Sequence, residues 1–203
     1  MTRQVRAVET RAQLLEAAAT CFGQEGYNAA SVADICRRAG VSKGAFYHHF
    51  SSKHELFLQL TEGWLAGINE QLEVARLGAL SVPEALMSMV GAAELVFQMA
   101  DQYIPIFVEF YIQASRDPAV WRAAIEPHRR YHDFFAQMFE VGVKEGSLNP
   151  VDAAMASRVL VSLALGLLMQ GMINPDRQDW AQVAREGVRM LLEGLQAENA
   201  TSL

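Results

Sequence analysis

The chain has 203 residues and a mass of 22.4 kDa, which permits one domain or two. Hydrophobic residues make up 51% of it and charged residues 20%, so the chain can bury a core and is not intrinsically disordered. The formal net charge is -6. The chain contains two cysteines, Cys21 and Cys36, which is too few for a disulfide framework. We interpret them as buried small hydrophobic side chains rather than as a redox or metal site.

The pattern of apolar residues predicts an all-α protein of about nine helices. Helix 1 is predicted over 8–24, because Val8, Ala12, Leu15, Ala19 and Phe22 recur at steps of three and four and so share one helix face. Nothing in the first residues resembles the apolar stretch of a secretory signal.

Two short helices are predicted next, each opened by a serine that can cap the backbone N–H groups of its first turn. Ser31 begins helix 2, predicted over 31–38, and Gly40 supplies the turn that ends it. Ser42 begins helix 3, predicted over 42–48.

Caps and prolines place the helices of the middle of the chain. The predicted spans are a fourth helix from Ser51 or Ser52 to about 76, a fifth over 82–99, a sixth over 103–114 and a seventh from Asp117 to about Lys144. Pro127 lies inside the seventh and is expected to kink or split it.

Helix 8 is predicted to begin at Asn149-Pro150 and to end between Gly171 and Pro175. Its charge-free run, 159–175, is shorter than the roughly 20 apolar residues that span a bilayer, so we interpret it as a buried helix of a soluble, cytoplasmic protein with no membrane partner. Helix 9 is predicted from 176–179 to about 197.

Helix 8 is apolar on nearly every side, and such a helix must be covered on every side. A homodimer formed through helices 8 and 9 would cover it; the alternative is a monomer that encloses its penultimate helix unusually well. The residues predicted to dimerise are Val159, Leu163, Leu167, Val188, Leu191 and Leu192.

Residues 31–50 have the layout of a helix-turn-helix, whose second helix enters the major groove of double-stranded DNA. Ile35, Val41 and Phe46 are spaced to form the buried corner between the helices, and Phe50 extends it. The remaining side chains face outward and can contact phosphates and base edges: Arg37, Arg38, Ser42, Lys43, Gly44, Ala45, Tyr47, His48 and His49.

The run GVSKGAFYHHFSSKHEL, inside a longer match over residues 11–57, resembles the DNA-binding domain of TetR-family transcriptional regulators. The resemblance implies a helix-turn-helix domain over 1–52 and a helical ligand-binding and dimerisation domain over 53–203. It also implies roles for individual residues: phosphate contacts from Ser31, Ser42, Lys43, Tyr47, His49 and Lys53, and proximity to the bases for Gly44, Ala45 and His48.

The same resemblance implies a repressor that binds a near-palindromic operator as a dimer and is released by a small-molecule effector. Large apolar side chains with few polar groups among them favour a hydrophobic effector. The region expected to bind it contains Trp64, Phe97, Phe107, Phe110, Tyr111, Trp121, His128, Tyr131 and Phe135, although many of these are expected to be core residues.

Three alternatives stay open at this point. His128 and His132, four residues apart, could ligate zinc, but with no acidic or cysteine cluster beside them we expect ordinary polar histidines and no metal or cofactor. The large domain could bind a protein instead of a small molecule. A helical enzyme is disfavoured, because no phosphate-binding loop, nucleophile elbow or HExxH motif occurs.

Overall fold

The computed structural model of the chain describes residues 3–174 and 179–196, and within them all side chains except those of 3–4, 64, 92–103 and 172. These ranges contain nine α-helices and, apart from one isolated bridge between Leu148 and Gln196, no β structure. The helices are α1 Arg3–Ala29, α2 Val32–Ala39, α3 Lys43–His49, α4 Lys53–Leu77, α5 Val82–Ala114, α6 Pro118–Ala124, α7 Glu126–Glu145, α8 Ala153–Ile173 and α9 Trp180–Glu193. The all-α prediction is confirmed.

The division of the middle of the chain differs from the prediction. The predicted fifth and sixth helices form one helix, α5, which continues through Pro105. A proline removes only one intrahelical hydrogen bond, and Ile106 and Phe110 are buried immediately after it, so packing can hold the helix together. The predicted seventh helix is split into α6 and α7, with Pro127 in the first turn of α7.

Helix α8 begins three residues later than its predicted cap. The Asp152 carboxylate accepts the Met155 N–H at 3.0 Å and is the actual N-cap. The Asn149 side chain instead donates to the carbonyl of Gln196 at 2.9 Å, so it fastens the chain after α9 rather than starting a helix.

One compact unit comprises Met1–Ala66 and Gln102–Ile125. Its core is aromatic: Phe57 stacks on Phe110 with ring centroids 4.3 Å apart, and Tyr27 meets Phe110 edge-on at 5.3 Å.

The predicted buried face of helix 1 is wrong at its start, because Val8 is 67% exposed. Helix α1 packs mainly through Leu14, Ala17, Ala18, Cys21 and Phe22.

The other compact unit comprises Gly67–Asp101 and Glu126–Leu203. Its core is formed by residues of α5, α7, α8 and α9, among them Leu86, Met138, Phe139, Leu160, Val188 and Leu192. Within the single chain only 22% of the apolar window of α8 over 153–171 is buried, so its own chain does not cover most of this helix. By length and composition that window could also cross a membrane, and no other helix in the described ranges meets both criteria.

Candidate nucleic-acid interface

The predicted helix-turn-helix is present, and its two serines cap the two helices. The Ser31 hydroxyl accepts the Asp34 N–H at 3.2 Å, and the Ser42 hydroxyl accepts the Ala45 N–H at 3.1 Å. Between them Gly40 adopts φ 68°, a left-handed conformation that a side chain disfavours. The turn therefore depends on residue types that are read directly from the sequence.

Helix α3 is anchored by its apolar face. Phe46 and Ile35 are fully buried and Phe50 is 1% exposed, so the predicted corner is confirmed at these positions, whereas Val41 is half-buried against the same core. Cys36 is buried too, and burial raises the pKa of its thiol, which makes it an inert packing residue. Rigid anchoring fixes the orientation of the opposite face of α3.

That opposite face is exposed. Ser42, Lys43, Gly44, Tyr47 and His48 are exposed, with Tyr47 at 57%, whereas Ala45 and His49 are half-buried. Burial, reinforced by His48 and Arg11, lowers the pKa of His49.

The residues of α2 that were predicted to face DNA are exposed but already have partners within the protein. Arg37 forms an ion pair with Asp34, which also accepts the Ser31 hydroxyl. The Arg38 guanidinium donates to the side-chain oxygen of Gln24 at 2.8 Å. Exposed pairs of this kind are weak, so each arginine can exchange its partner for a phosphate at little cost.

Lys53 does not lie on the exposed face with the other predicted phosphate ligands. Its ammonium donates to the backbone carbonyls of Tyr27 at 2.8 Å, Ala30 at 3.0 Å and Asn28 at 3.4 Å. It also lies 4.5 Å from the centroid of the Tyr27 ring. Lys53 thus fastens the first turn of α4 to the end of α1 and to Ala30, and its ammonium already has three acceptors within the protein.

Two further side chains support the helix-turn-helix and were missed by the sequence analysis. Arg11 lies over the Phe50 ring, 5.5 Å from its centroid, and donates to Gln59. Glu109 of α5 accepts the Asn28 N–H at 3.0 Å. The residues in these contacts are 39, 48 and 81 positions apart in the sequence, so no local pattern could have indicated them.

Four residues of the predicted effector region whose side chains the structure describes lie in the first compact unit. Phe110 is 1% exposed, Phe107 is half-buried, and Tyr111 donates to the Ala124 carbonyl at 3.2 Å while its ring meets that of Trp121 edge-on. Phe107 lines an apolar cavity of about 280 Å³ with Leu15, Ala19, Phe22, Phe57, Gln59, Leu60, Thr61, Gly63 and Ile106. Phe110, Tyr111 and Trp121 are not among its lining residues.

Three others lie in the second compact unit, on α7. His128 is exposed, and Tyr131 and Phe135 are half-buried. The Tyr131 hydroxyl is buried without a hydrogen-bond partner among the described residues, and burial raises the pKa of Tyr131 to about 12. The side chains of Trp64 and Phe97 lie outside the described part of the structure.

The residues predicted to dimerise differ in exposure. Val188 and Leu192 are 6% and 3% exposed, so the core of the single chain already buries them. Leu163, Leu167 and Leu191 are half-buried at the edge of that core, and Val159 is 45% exposed. The exposed apolar side chains of α8 are Met155, Val159, Leu165, Met169 and Ile173.

Comparison with known proteins matches nearly the whole chain. Residues 14–60 match the model of bacterial regulatory proteins of the tetR family, and residues 84–197 match that of the BetI-type transcriptional repressor C-terminal domain. The chain is 30% identical over 199 residues to the HTH-type transcriptional regulator UidR of Escherichia coli K12, covering 95% of each protein. It is 25% identical over 201 residues to the A-factor receptor protein of Streptomyces griseus, covering 96% of this chain and 67% of that one.

A solved structure has the same fold. The crystal structure of a putative transcriptional regulator from Pseudomonas aeruginosa PAO1 superposes with a TM-score of 0.80 and 22% identity, covering 96% of this chain and 91% of that one. The two family matches, the similarity to UidR and the helix-turn-helix geometry all indicate the same family. The chain belongs to the TetR family and is a DNA-binding transcriptional regulator, not an enzyme.

Proposed function

We propose that the protein is a repressor that binds a near-palindromic operator as a homodimer and is released by a small, largely hydrophobic effector. The observation that carries the proposal is helix α3, whose apolar face is locked by Phe46 and Phe50 while its other face is open to solvent. Since its target is DNA, we place the protein in the bacterial cytoplasm. Residues 1–52 are the proposed DNA-binding domain, and 53–203 the effector-binding and dimerisation domain.

On the DNA, Ser42, Lys43 and Tyr47 are the proposed phosphate ligands. They supply two hydroxyls and an ammonium from one exposed surface, the groups that commonly bind phosphate oxygens. Ser31, Arg37, Arg38 and His49 are expected to contact the backbone at the edge of that surface. Gly44, Ala45 and His48 are expected nearest the base edges, where the absence of long side chains at 44 and 45 permits close approach.

The acidic net charge of -6 is compatible with this interface. Charges farther away than about 10 Å are largely screened at ordinary salt, so the acidic residues of the large domain affect DNA binding little. Binding should nevertheless weaken as salt is raised, because each neutralised phosphate releases counterions.

The proposed dimer interface follows the exposed face of α8. Met155, Val159, Met169 and Ile173 are between 37% and 68% exposed and lie on one side of α8, where the small residues Ser162 and Gly166 separate the two pairs, which makes a stripe of apolar and small residues. A second copy of the chain covers this stripe if α8 packs against α8 of its partner. Two recognition helices would then reach half-sites about 34–36 Å apart, which requires an operator with inverted repeats.

Support for a hydrophobic effector comes from the cavity beside Phe107 and from the aromatic residues of α7. The cavity has a volume of about 280 Å³ and almost wholly apolar walls. An effector can release the DNA only to the extent that it binds the DNA-free conformation more tightly than the bound one. One relative, matched over 96% of this chain and 67% of its own length, is described as a receptor, the A-factor receptor protein.

Selection of DNA from a random pool by the untagged full-length protein, followed by sequencing, tests the proposal. We expect an inverted repeat whose half-sites are about 10 base pairs apart or a multiple of that. Failure to select any sequence at low salt would refute the proposed function. Native mass spectrometry of the purified protein tests the effector separately: a co-purified small molecule supports it, and a bound polypeptide would indicate a protein partner instead.

A further inference from the structure

The side chains of His128 and His132 meet on one face of α7. Their Nε2 atoms are 2.9 Å apart, and the two rings are nearly perpendicular, with centroids 4.4 Å apart. Rings that pointed straight at each other at this nitrogen separation would have their centroids about 5 Å apart, so at least one ring is tilted away from the line that joins the two nitrogens.

The separation of the two Nε2 atoms is that of a metal chelate. Bonds of about 2.0–2.1 Å from one metal ion to two nitrogens at a right angle would place those nitrogens about 2.9 Å apart. The same arrangement places the ring centres about 4.5 Å apart, against 4.4 Å in this structure. A tetrahedral zinc ion would open the nitrogen separation to about 3.3 Å, so the pair fits square-planar or octahedral coordination better.

A second residue supports the orientation that a metal ligand needs. The Ser157 hydroxyl of α8, fully buried, donates to the His132 carbonyl at 2.7 Å and lies 3.5 Å from His132 Nδ1. Its oxygen can therefore accept a hydrogen bond from Nδ1–H, and this tautomer leaves a lone pair on His132 Nε2. Metal-binding histidines characteristically donate their second ring N–H to such a partner.

We propose that His128 and His132 bind one divalent transition-metal ion, Ni²⁺ or Cu²⁺ in preference to Zn²⁺, through their two Nε2 atoms. No third histidine, cysteine or carboxylate joins them among the described residues, so water or a donor group of another molecule completes the coordination. The sequence analysis expected ordinary polar histidines, because spacing alone cannot distinguish such a pair from a chelating one. The inference does not depend on the proposed DNA target or effector.

Calorimetric titration of the untagged full-length protein with Ni²⁺ tests the site. We expect one ion per chain, at least tenfold weaker binding in His128→Ala and in His132→Ala, and weakening of about tenfold in Ser157→Ala, the usual effect of losing a residue that orients a ligand. His54→Gln is the matched control and should bind Ni²⁺ as the parent does. Circular dichroism confirms that each variant folds.

Other results would overturn the proposal. Equal Ni²⁺ binding by the parent and His128→Ala, an exposed position where folding is not at stake, would show that the ion binds elsewhere. Tighter binding of Zn²⁺ than of both Ni²⁺ and Cu²⁺ would contradict the right-angle geometry. Absence of any binding would leave the two histidines as a simple hydrogen-bonded pair.

Discussion

Glu109 of α5 accepts the backbone N–H of Asn28 at 3.0 Å, and so fastens α5 to the segment that leads into the helix-turn-helix. The carboxylate also lies close to Gly26, where a Cβ atom would come within 2.9 Å of it. Gly26 has φ 81° and kinks α1 at this point. Glu109 accepts from the backbone after the kink, and Lys53 donates to its carbonyls.

Replacing Glu109 should therefore loosen the start of α2. We expect Glu109→Ala to lower the free energy of unfolding by about 1–2 kcal/mol, since it leaves the Asn28 N–H without its acceptor. Amide hydrogen exchange at Asn28 should accelerate. Glu109→Gln keeps an acceptor oxygen, so its free energy of unfolding should lie between those of Glu109→Ala and the parent.

The matched control is Glu73→Ala, which removes an exposed partner of Arg76 in α4. Surface pairs of this kind contribute about 0–1 kcal/mol, so its stability and its exchange at Asn28 should stay near those of the parent. Unchanged exchange at Asn28 in Glu109→Ala would show that the segment is held without this carboxylate.

Contacts on the DNA-facing surface can be removed without disturbing the core. Lys43→Ala and Tyr47→Ala change exposed side chains, so both variants should fold as the parent does. For Lys43→Ala we expect weaker operator binding and a slope of log affinity against log salt reduced by about one, since one phosphate contact is lost. Fluorescence anisotropy with labelled operator at several salt concentrations measures both.

Lys53→Ala separates the two roles that this lysine could have. As a phosphate ligand it would reduce the salt slope as Lys43→Ala does. If Lys53 acts as a clamp on the carbonyls of Tyr27, Asn28 and Ala30, its removal should lower the free energy of unfolding, because three acceptors, two of them in part-buried contacts, lose their charged donor. We expect the second result in urea unfolding, and an unchanged stability would contradict it.

The sequence was sufficient for the helix-turn-helix because its determinants are local. Ser31, Gly40 and Ser42 act within four residues of their own positions, and Phe46 follows from the period of the helix. The roles of Glu109 and Lys53 depend on partners 81 and 23 to 26 positions away, which no spacing pattern reveals. The spacing of His128 and His132 placed them on one helix face but could not show that their Nε2 atoms lie 2.9 Å apart.

The residues predicted to dimerise show that sequence spacing is also insufficient for assigning the contacts of apolar side chains. A helix that is apolar all round indicates that two faces are covered, but not which face meets its own chain. In the structure, Val188 and Leu192 pack in the core of their own chain, whereas Met155, Met169 and Ile173, which were not among the predicted residues, are exposed. Only the packing of α8 against α7 and α9 distinguishes the two faces.

The exposed stripe of α8 gives a direct test of association. We expect Val159→Glu and Met169→Glu to shift the protein from twice the 22.4 kDa chain mass toward the single chain, because each buries a charge in an apolar interface. Light scattering after size exclusion measures the mass. Leu80→Glu, at a loop position 94% exposed, is the control and should leave the mass unchanged.

Tyr27 supplies a test of the core itself. Its ring is 1% exposed and packs against Phe22, Phe57 and Phe110, yet its hydroxyl is buried with no hydrogen-bond partner among the described residues. Tyr27→Phe keeps the ring and removes an unsatisfied polar group, so we expect the free energy of unfolding to be unchanged or to rise by up to about 1–2 kcal/mol. Tyr27→Ala, which empties the space, should instead cost about 3–5 kcal/mol.

The same hydroxyl predicts how stability changes at high pH. Burial raises the pKa of Tyr27 above its ordinary value of 10.0, so the folded protein holds this proton more tightly than the unfolded chain does. Stability from this group is therefore complete below pH 10 and is lost as the pH rises beyond it. Urea unfolding between pH 8 and pH 11 should show a shallower decline for Tyr27→Phe than for the parent, with Tyr131 contributing part of what is left because burial raises its pKa to about 12. Parallel declines in the two proteins would mean that the Tyr27 hydroxyl titrates as it does in water.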